Sequence, residues 1–413
     1  MKKFLMMLIA VALFVPAMAS AQINWYGQLD IMGSMERWNS STNFADQYSY
    51  TDSRLFVGAN FDLEENIEAN VALMYMGSWG DNYLAGQQID NNSDTGLLSK
   101  TVLAEANIVF KNLFDNDRLT LKVGKFYYGE KGDAIFYVGL RDMSKWGYAY
   151  SNYSWNSAYN GGMDGAQLTY DDQEKVKVDL VYSKLSNENG LVNGDKVNVI
   201  IINGKYKVND NICVRGYLYD TETDDDLILG NTGYRNETIG IKPEVKFGAL
   251  TASGEIAQQY YSDDSNIFDQ KQDDAILTKL NVSYQFDMND MTLTPRIQYL
   301  RAGDDFSTDL SDVNYGFMGS SYWWESHLED VESMNIGADW TKGKYGISLD
   351  IFKNGAAEGG DSYWYEYDLV GKYQYTKDIE FYAGYAYGVD QDGSDDWWES
   401  RTILGVNWKF GSK

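Results

Sequence analysis

The sequence contains one histidine, His327, and catalysis that depends on a histidine base would have to be built around it. Glu325 and Ser326 precede it directly, so an acid, a nucleophile and a base stand side by side. Adjacent residues do not face one another, and such a mechanism needs all three groups in one geometry. A histidine in a polar surface loop is the simpler interpretation. We therefore predict that the protein is not an enzyme.

A second set of chemically capable residues lies in segment 390–396, Asp-Gln-Asp-Gly-Ser-Asp-Asp, where carboxylates alternate around a glycine. Calcium loops share this feature, but the spacing and the distal glutamate of an EF-hand are missing. A divalent cation at this site would bridge the phosphates of lipopolysaccharide, and the alternative is a hydrated hairpin tip. The sequence shows no zinc spacing, phosphate loop or dinucleotide fingerprint, so no cofactor is predicted. The candidate metal ligands are Asp390, Asp392, Asp395 and Asp396.

The overall charge excludes one class of partner. The chain has 61 acidic and 34 basic residues, for a formal charge of −27. Binding to nucleic acid needs a basic surface, so nucleic acid is excluded as a partner. The single cysteine, Cys213, excludes an intramolecular disulfide.

Residues 1–21 have the organisation of a cleaved secretory signal peptide. Two lysines open it, an apolar run follows from Phe4 to Val15, and Ala19-Ser-Ala21 forms a small-residue cleavage site. The apolar run is shorter than the ~20 residues that a membrane helix needs. No linker divides the remainder, so we predict that residues 22–413 form a single domain outside the cytoplasm.

The C-terminal stretch shows which elements would position the charged residues. From Ile379 to Tyr387, and again from Thr402 to Phe410, apolar side chains alternate with small, polar or charged ones. Side chains in a strand alternate with period two, so each arm is a strand with one apolar face. Aliphatic residues at the centre of that face and aromatic residues near its ends are typical of strands that contact lipid.

This pattern repeats along the chain, and the connections between the strands alternate between short and long. The alternation predicts an all-β fold, a transmembrane antiparallel up-and-down β-barrel of about 18 strands, with 16 as the alternative. Its short turns would be periplasmic and its long loops extracellular. A soluble β-repeat protein would instead have strands of ~5–6 residues and no such alternation. The predicted short turns lie near 64–66, 112–117, 171–173, 209–211, 248–249, 289–290, 343 and 377–378.

If the apolar faces contact lipid, the charged side chains on the opposite faces line the interior. An ionised side chain facing lipid at mid-depth costs about 2–4 kcal/mol, so a mid-strand charge determines the phase of its strand. The phase stays open for 197–207, which is apolar on both faces. Either these charges set a transverse field across the pore, or they only pair across strands. The predicted pore-lining residues are Arg54, Lys122, Lys177, Arg215, Lys242, Lys279, Arg296, Arg401, Asp179, Glu255 and Asp350.

The longest connection, 128–162, mixes charged residues with aromatic ones. A loop of this length is usually functional or disordered, and its aromatic content argues against disorder. We predict that it folds into the barrel as a constriction loop; the alternative is an outward cap. Its predicted functional residues are Glu130, Asp133, Arg141, Asp142 and Lys145.

Two stretches carry a resemblance to known proteins. Asn24-Trp-Tyr-Gly-Gln-Leu-Asp30 resembles the start of Gram-negative outer-membrane porins. The segments 121–129 and 163–170 are similar to the alginate-export-like porins, although Lys125 stands where those have an arginine. The resemblance implies a location in the outer membrane, homotrimers, and recognition of the C-terminal strand by the barrel-assembly machinery. The interior shows no clear basic excess, which argues against an alginate-like cargo.

Three functions are compatible with the sequence. The first is a passive, water-filled diffusion channel for small hydrophilic solutes, embedded among lipid and lipopolysaccharide, whose acidic mouth prefers cations. The second is a substrate-specific pore for sugars or polysaccharide, in which aromatic side chains stack on sugar faces. The third is a plugged barrel with a structural or adhesive role.

Overall fold

The computed structural model describes ten ranges of the chain. They are residues 22–39, 45–81, 99–140, 161–185, 197–223, 235–262, 275–306, 330–358, 363–390 and 398–411. The predicted signal peptide, 1–21, lies outside them, as does His327.

The described residues form β-strands and one short 3-10 turn, Leu113–Asp115. The strands are β1 (Gln22–Asn39), β2 (Ala45–Glu64), β3 (Ile67–Asp81), β4 (Ser99–Phe110), β5 (Leu119–Phe126), β6 (Met163–Asp171), β7 (Val176–Leu185), β8 (Val197–Asn209), β9 (Ile212–Thr223), β10 (Arg235–Phe247), β11 (Leu250–Ser262), β12 (Ile276–Tyr284), β13 (Phe286–Met288), β14 (Met291–Ala302), β15 (Val331–Lys342), β16 (Tyr345–Gly355), β17 (Tyr363–Gln374), β18 (Ile379–Asp390) and β19 (Trp398–Gly411).

These strands make one closed antiparallel sheet. Each pairs with its neighbours in the chain, and β1 also pairs with β19 from Tyr26↔Gly411 to Asn39↔Trp398. Because β12 and β13 both pair with β14, they form one wall strand interrupted at Gln285, and the barrel has 18 strands. The predicted fold is confirmed. A ring of strands leaves no unpaired edge. This closure stabilises a sheet of this size in a chain that has no disulfide bond.

The short turns are stabilised by the polar residues that the sequence places there. In the turn between β6 and β7, the Asp172 carboxylate accepts hydrogen bonds from the backbone N–H groups of Val176, Glu174 and Lys175, at 2.8, 2.9 and 2.7 Å. These donors hold the pKa of the Asp172 carboxyl below its usual value. The turn between β8 and β9 repeats this on a smaller scale, since the Asn209 side chain accepts from the N–H of Asn211 at 2.8 Å.

The two faces of the wall differ as the alternation predicts. On β12, Leu280 is 47% exposed on the outer face, whereas its neighbour Lys279 is 6% exposed inside. The structure also settles the phase of 197–207. Ile200 and Ile202 are exposed on the outside, and Val199 and Ile201 are buried inside.

The interior is not polar throughout. Near the long connections, the inward faces of several strands carry apolar side chains that form one buried cluster with Ala134, Ile135, Phe136 and Val138. Alternation identifies which side chains point inward but not what lies against them. Here a segment of the same chain covers the wall, and apolar contact replaces water. The wall members of this cluster include Val181, Leu185, Val197, Val199, Ile201, Tyr217, Tyr219, Leu277, Leu300 and Val331.

Gly124 of β5 occupies a backbone conformation that other residues rarely adopt, with φ +122°. A Cβ there would lie 2.3 Å from the carbonyl oxygen of Ala106 on the neighbouring strand. We expect Gly124→Ala to destabilise the barrel by about 1–3 kcal/mol, measured as a lower urea midpoint of unfolding in lipid vesicles. Gly204→Ala on β8 is the control, because a Cβ there would lie 3.9 Å from the carbonyl oxygen of Gly216. Equal losses in both variants would contradict this account.

Candidate pore and inner hairpin

Residues 127–140, which include the first described part of the predicted constriction loop, form a small hairpin that we call the inner hairpin. Tyr128 and Val138 exchange backbone hydrogen bonds of 2.9 and 2.8 Å. At the tip, the N–H of Asp133 donates to the carbonyl of Glu130 at 3.0 Å, which closes a β-turn. Gly132, the third residue of this turn, has φ +77°, as a glycine at that position allows. The turn therefore places two carboxylates, those of Glu130 and Asp133, close together at the tip.

The inner hairpin lies inside the barrel. Phe136 stacks on Tyr219 of β9 with ring centroids 5.4 Å apart, and the Lys279 ammonium of β12 donates to the Gly132 carbonyl at 2.6 Å. Strand β12 is seven wall strands from β5, where the segment begins. A path along the wall from β5 to β12 would cover seven strand spacings of about 4.8 Å each. The six residues 127–132 span at most ~20 Å when fully extended, so the hairpin crosses the bore and does not follow the wall.

The base of the hairpin contacts a different part of the wall. Tyr127 lies 6.3 Å, centroid to centroid, from Phe56 of β2. Leu140 packs against the same small cluster, which also contains Met74 of β3 and Val102 of β4. Contacts at both ends hold the hairpin within the bore.

Ion pairs fix the tip. Asp133 and Arg215 of β9 form a salt bridge in which both side chains are buried. Glu130 pairs with Arg215 at 3.4 Å and with Lys205 of β8 at 3.7 Å. Moving two charges out of water costs free energy, and only such direct contacts offset that cost. The tip of the hairpin and this part of the wall therefore stabilise each other.

Several predicted pore-lining residues take part in ion pairs or hydrogen bonds across strands. Arg54 pairs with Asp30 of β1 at 2.8 Å, and both side chains are buried. Asp179 accepts from the Thr169 hydroxyl at 2.6 Å, and Glu255 accepts from the Tyr217 hydroxyl at 2.7 Å. Sequence reasoning missed Asp30 as the partner of Arg54, although an acid and a base at mid-strand on neighbouring strands are a usable signal.

Arg296 of β14 is the centre of a second polar cluster. It pairs with Asp350 of β16 at 2.6 Å and with Asp339 of β15, and it donates to the Ser348 hydroxyl at 3.0 Å. Asp350 lies directly opposite Asp368 of β17 in the strand register. This part of the wall is therefore rich in carboxylates.

The other predicted residues are distributed as follows. The Lys122 ammonium lies 5.6 Å from the centroid of the Phe126 ring, and Arg401 is buried. Arg141, Asp142 and Lys145 lie outside the described residues, as do Asp392, Asp395 and Asp396. Asp390 ends β18. Within the described ranges, no group of three or more metal-ligating side chains is placed to bind a metal ion.

The register reveals a feature that sequence reasoning missed. On four consecutive strands, β7 to β10, four cations lie directly opposite one another: Lys177↔Lys205, Lys205↔Arg215 and Arg215↔Lys242. We call these four residues the basic row. Lys205 was absent from the predicted set because it lies where the phase of β8 was open. Alignment across four strands depends on the register of each pair, which no single strand encodes.

A cavity of about 700 Å³ lies at the short-turn end of the barrel, beside the basic row. Lys177 and Lys205 line it, together with Cys213 and residues of the β6–β7 and β8–β9 turns. The short-turn end of this sector therefore has space for solvent, in contrast to the apolar packing near the long connections.

No helix in the described part of the chain is long and apolar enough to cross a membrane. The sequence matches no known protein-family model, and no curated protein sequence matches it significantly.

Comparison with solved structures shows the fold. The structure of Pseudomonas aeruginosa OccK9 (OpdG) superposes with a TM-score of 0.59 at 12% sequence identity, covering 94% of this chain and 99% of that one. Acinetobacter baumannii OccAB4 gives a TM-score of 0.55 at 11% identity, with 94% and 98% covered. Pseudomonas aeruginosa OpdL gives 0.56 at 11% identity, with 95% and 99% covered. The chain thus has the closed 18-strand barrel fold of these outer-membrane porins.

Proposed function

We propose that the protein is a porin of the Gram-negative outer membrane that acts as a passive, water-filled diffusion channel for small hydrophilic solutes. One observation carries this proposal: within a closed ring, aliphatic side chains face outward and charged side chains face inward on the same strands. A barrel that was not surrounded by lipid would gain nothing from this arrangement. The fold shared with outer-membrane porins supports the same location.

We propose that the interior charges are biased toward opposite signs on opposite walls, although Arg296 pairs with Asp339 and Asp350 within the acidic part. The basic row lies on β7–β10, whereas Asp339, Asp350 and Asp368 lie on β15–β17. Strands β8 and β17 are eight wall strands apart in the ring of 18, since β12 and β13 count as one. Opposed charges at this separation would set a transverse field that orients permeating solutes.

We further propose that the mouth prefers cations, because the chain carries a formal charge of −27. The acidic tracts that motivate this proposal lie in the long connections, outside the described residues. At low salt we expect reversal potentials that show a roughly few-fold preference for cations, fading as the Debye length shrinks with added salt. Planar-bilayer recordings in a salt gradient measure this directly. A strong anion preference at low salt would refute the cation-preferring mouth.

A plugged barrel is the second candidate, and the apolar cluster around the inner hairpin favours it. If that cluster seals the bore, the intact protein should show no conductance, and deleting residues 128–139 should create it. Conductance in the intact protein would exclude this candidate.

The sugar-specific pore has less support, since Phe136, Tyr217 and Tyr219 are buried against one another and present no open ring face. If added oligosaccharide blocks the current, the sugar-specific pore becomes the favoured function.

Membership of the alginate-export-like group remains a prediction, as do homotrimers and recognition of the C-terminal strand by the barrel-assembly machinery. Strand β19 supports the last of these because Trp408 and Phe410 lie close to its end, with ring centroids 5.2 Å apart. Assembly into vesicles should slow when Phe410 is replaced by Ala, and chemical cross-linking in membranes would report the number of subunits.

A further inference from the structure

Four asparagines lie in one row across the strands β1–β4. The strand register places Asn24 opposite Asn60, Asn60 opposite Asn70, and Asn70 opposite Asn107. We call these four residues the amide row. It occupies a sector of the wall separate from the basic row on β7–β10 and from the carboxylates on β15–β17.

The phase of the strands shows that the amide row faces the bore. Asn24 and Asn60 are an even number of residues away from Asp30 and Arg54, which form the buried ion pair inside the barrel. The register of β1 with β2 runs without a bulge between these residues. Both asparagines are only half-buried, so their amides are accessible from the bore.

The two halves of the amide row differ in their hydrogen bonds. The Asn70 amide donates to Asn107 Oδ1 at 2.9 Å, and the Asn107 amide donates to the backbone carbonyl of Lys125 at 2.8 Å. Among the side chains that the structure describes, those of Asn24 and Asn60 have no hydrogen-bond partner. Asn70 and Asn107 are thus bound within the wall, whereas the other two amides can bind a solute.

An aromatic ring adjoins these two amides. Tyr26 is the next inward residue after Asn24 on β1, and its ring lies over Gly58, the inward neighbour of Asn60 on β2. A Cβ at position 58 would lie 2.4 Å from Tyr26 Cζ, so the glycine makes room for the ring. The Tyr26 hydroxyl donates to the Glu105 carboxylate at 3.4 Å, which holds the ring in place.

This combination suits an uncharged solute that carries several hydroxyl groups. Each amide both donates and accepts hydrogen bonds, as a hydroxyl group does, and neither group carries a charge. The aromatic ring beside the amides offers an apolar surface to the C–H groups of a sugar ring. Asp62, the next inward residue of β2 toward the short turn, is an exposed carboxylate, which disfavours an anion at this place.

We propose that Asn24, Asn60 and Tyr26 form a binding site for a small neutral sugar. The two amides bind its hydroxyl groups, and the ring packs against its apolar face. The site lies on the wall near the short turn between β2 and β3, away from the buried aromatic residues around the inner hairpin. The proposal rests on the proposed function only in that solutes reach the interior of the barrel from water.

The test is saturation-transfer NMR of the full-length barrel in micelles of lauryldimethylamine oxide, a detergent that carries no sugar. The probes are glucose and glucuronate, which share a ring and differ in charge. We expect saturation transfer to glucose, and weaker binding of glucuronate because of Asp62. Asn60→Leu should bind glucose about three- to tenfold more weakly, the loss expected when one or two hydrogen bonds are removed. Asn281→Leu on β12 is the matched control, since that amide already donates to the Ser253 hydroxyl at 3.3 Å in another sector of the wall.

A second variant, Gly58→Ala, tests the ring separately from the amides. It keeps both asparagines and displaces Tyr26, and we expect it to weaken glucose binding by about twofold or more. The shift in gel migration on heating, which reports a folded barrel, checks each variant.

Three results would overturn the site: no transfer to glucose by the unaltered protein, an equal loss in Asn281→Leu, or tighter binding of glucuronate than of glucose. Micelles leave both mouths of the barrel open to solute, so this measurement needs no current. Glucose binding without conductance would sink the proposed channel and leave the site standing, and conductance without glucose binding would do the reverse.

Discussion

Replacing Asp133 by Ala should release the tip of the inner hairpin and raise the single-channel conductance roughly twofold or more. The reason is the buried guanidinium of Arg215, which Asp133 neutralises. Removing one partner of a buried pair costs up to about 3–5 kcal/mol, and the remaining partner of Arg215, Glu130 at 3.4 Å, is half exposed and offsets only part of this cost. The hairpin avoids this cost by leaving the wall, since Arg215 then contacts water.

Planar-bilayer recordings give the conductance, and limited proteolysis of the hairpin gives an independent measure of its release. The matched control is the double variant Asp133→Leu with Arg215→Met. It removes both charges and keeps apolar volume, which in buried pairs is often neutral or stabilising. We expect the double variant to keep the hairpin docked and protected. Unchanged conductance and protection in Asp133→Ala would show that the apolar contacts alone hold the hairpin.

The second large effect concerns the outer wall. Ile256 lies near the middle of β11 and is 59% exposed on the face that we assign to lipid. An arginine at the bilayer midplane costs about 2–4 kcal/mol, so Ile256→Arg should lower the stability of the barrel in lipid vesicles by that amount. Reversible urea unfolding, followed by tryptophan fluorescence, measures the loss.

Ser253→Arg on the same strand is the control for Ile256→Arg. Ser253 has the inward parity of Glu255 and lines the cavity at the short-turn end. An arginine there remains in water, and we expect a loss of less than about 1 kcal/mol. A reversed order of the two losses would mean that the faces of β11 are exchanged, and the proposed channel would then fail with them.

Together these variants test separate parts of the molecule. The Asp133 series concerns what fills the bore, and the Ile256 series concerns what surrounds it. A barrel that loses stability with Ile256→Arg but shows no current in any hairpin variant would retain its place in the membrane and lose its role as a channel.

The alternation of side chains along each segment was enough to predict the number of strands and the order of short and long connections. Single charges, such as Lys279 between Thr278 and Leu280, were enough to predict which face of a strand points inward. These properties are local, because the period of a strand and the high cost of a charge in lipid act on each segment separately.

Tertiary structure alone decided what the inward faces meet. Val199 and Ile201 are buried inside because the inner hairpin and neighbouring strands cover them, and nothing in Val-Ile-Ile-Ile itself distinguishes its two sides. The alignment of Lys177, Lys205, Arg215 and Lys242 likewise depends on three independent registers. Contacts between residues far apart in the chain arise only once the ring closes. The sequence was therefore enough to predict that these charges face the interior, but it did not identify the residues with which they pair.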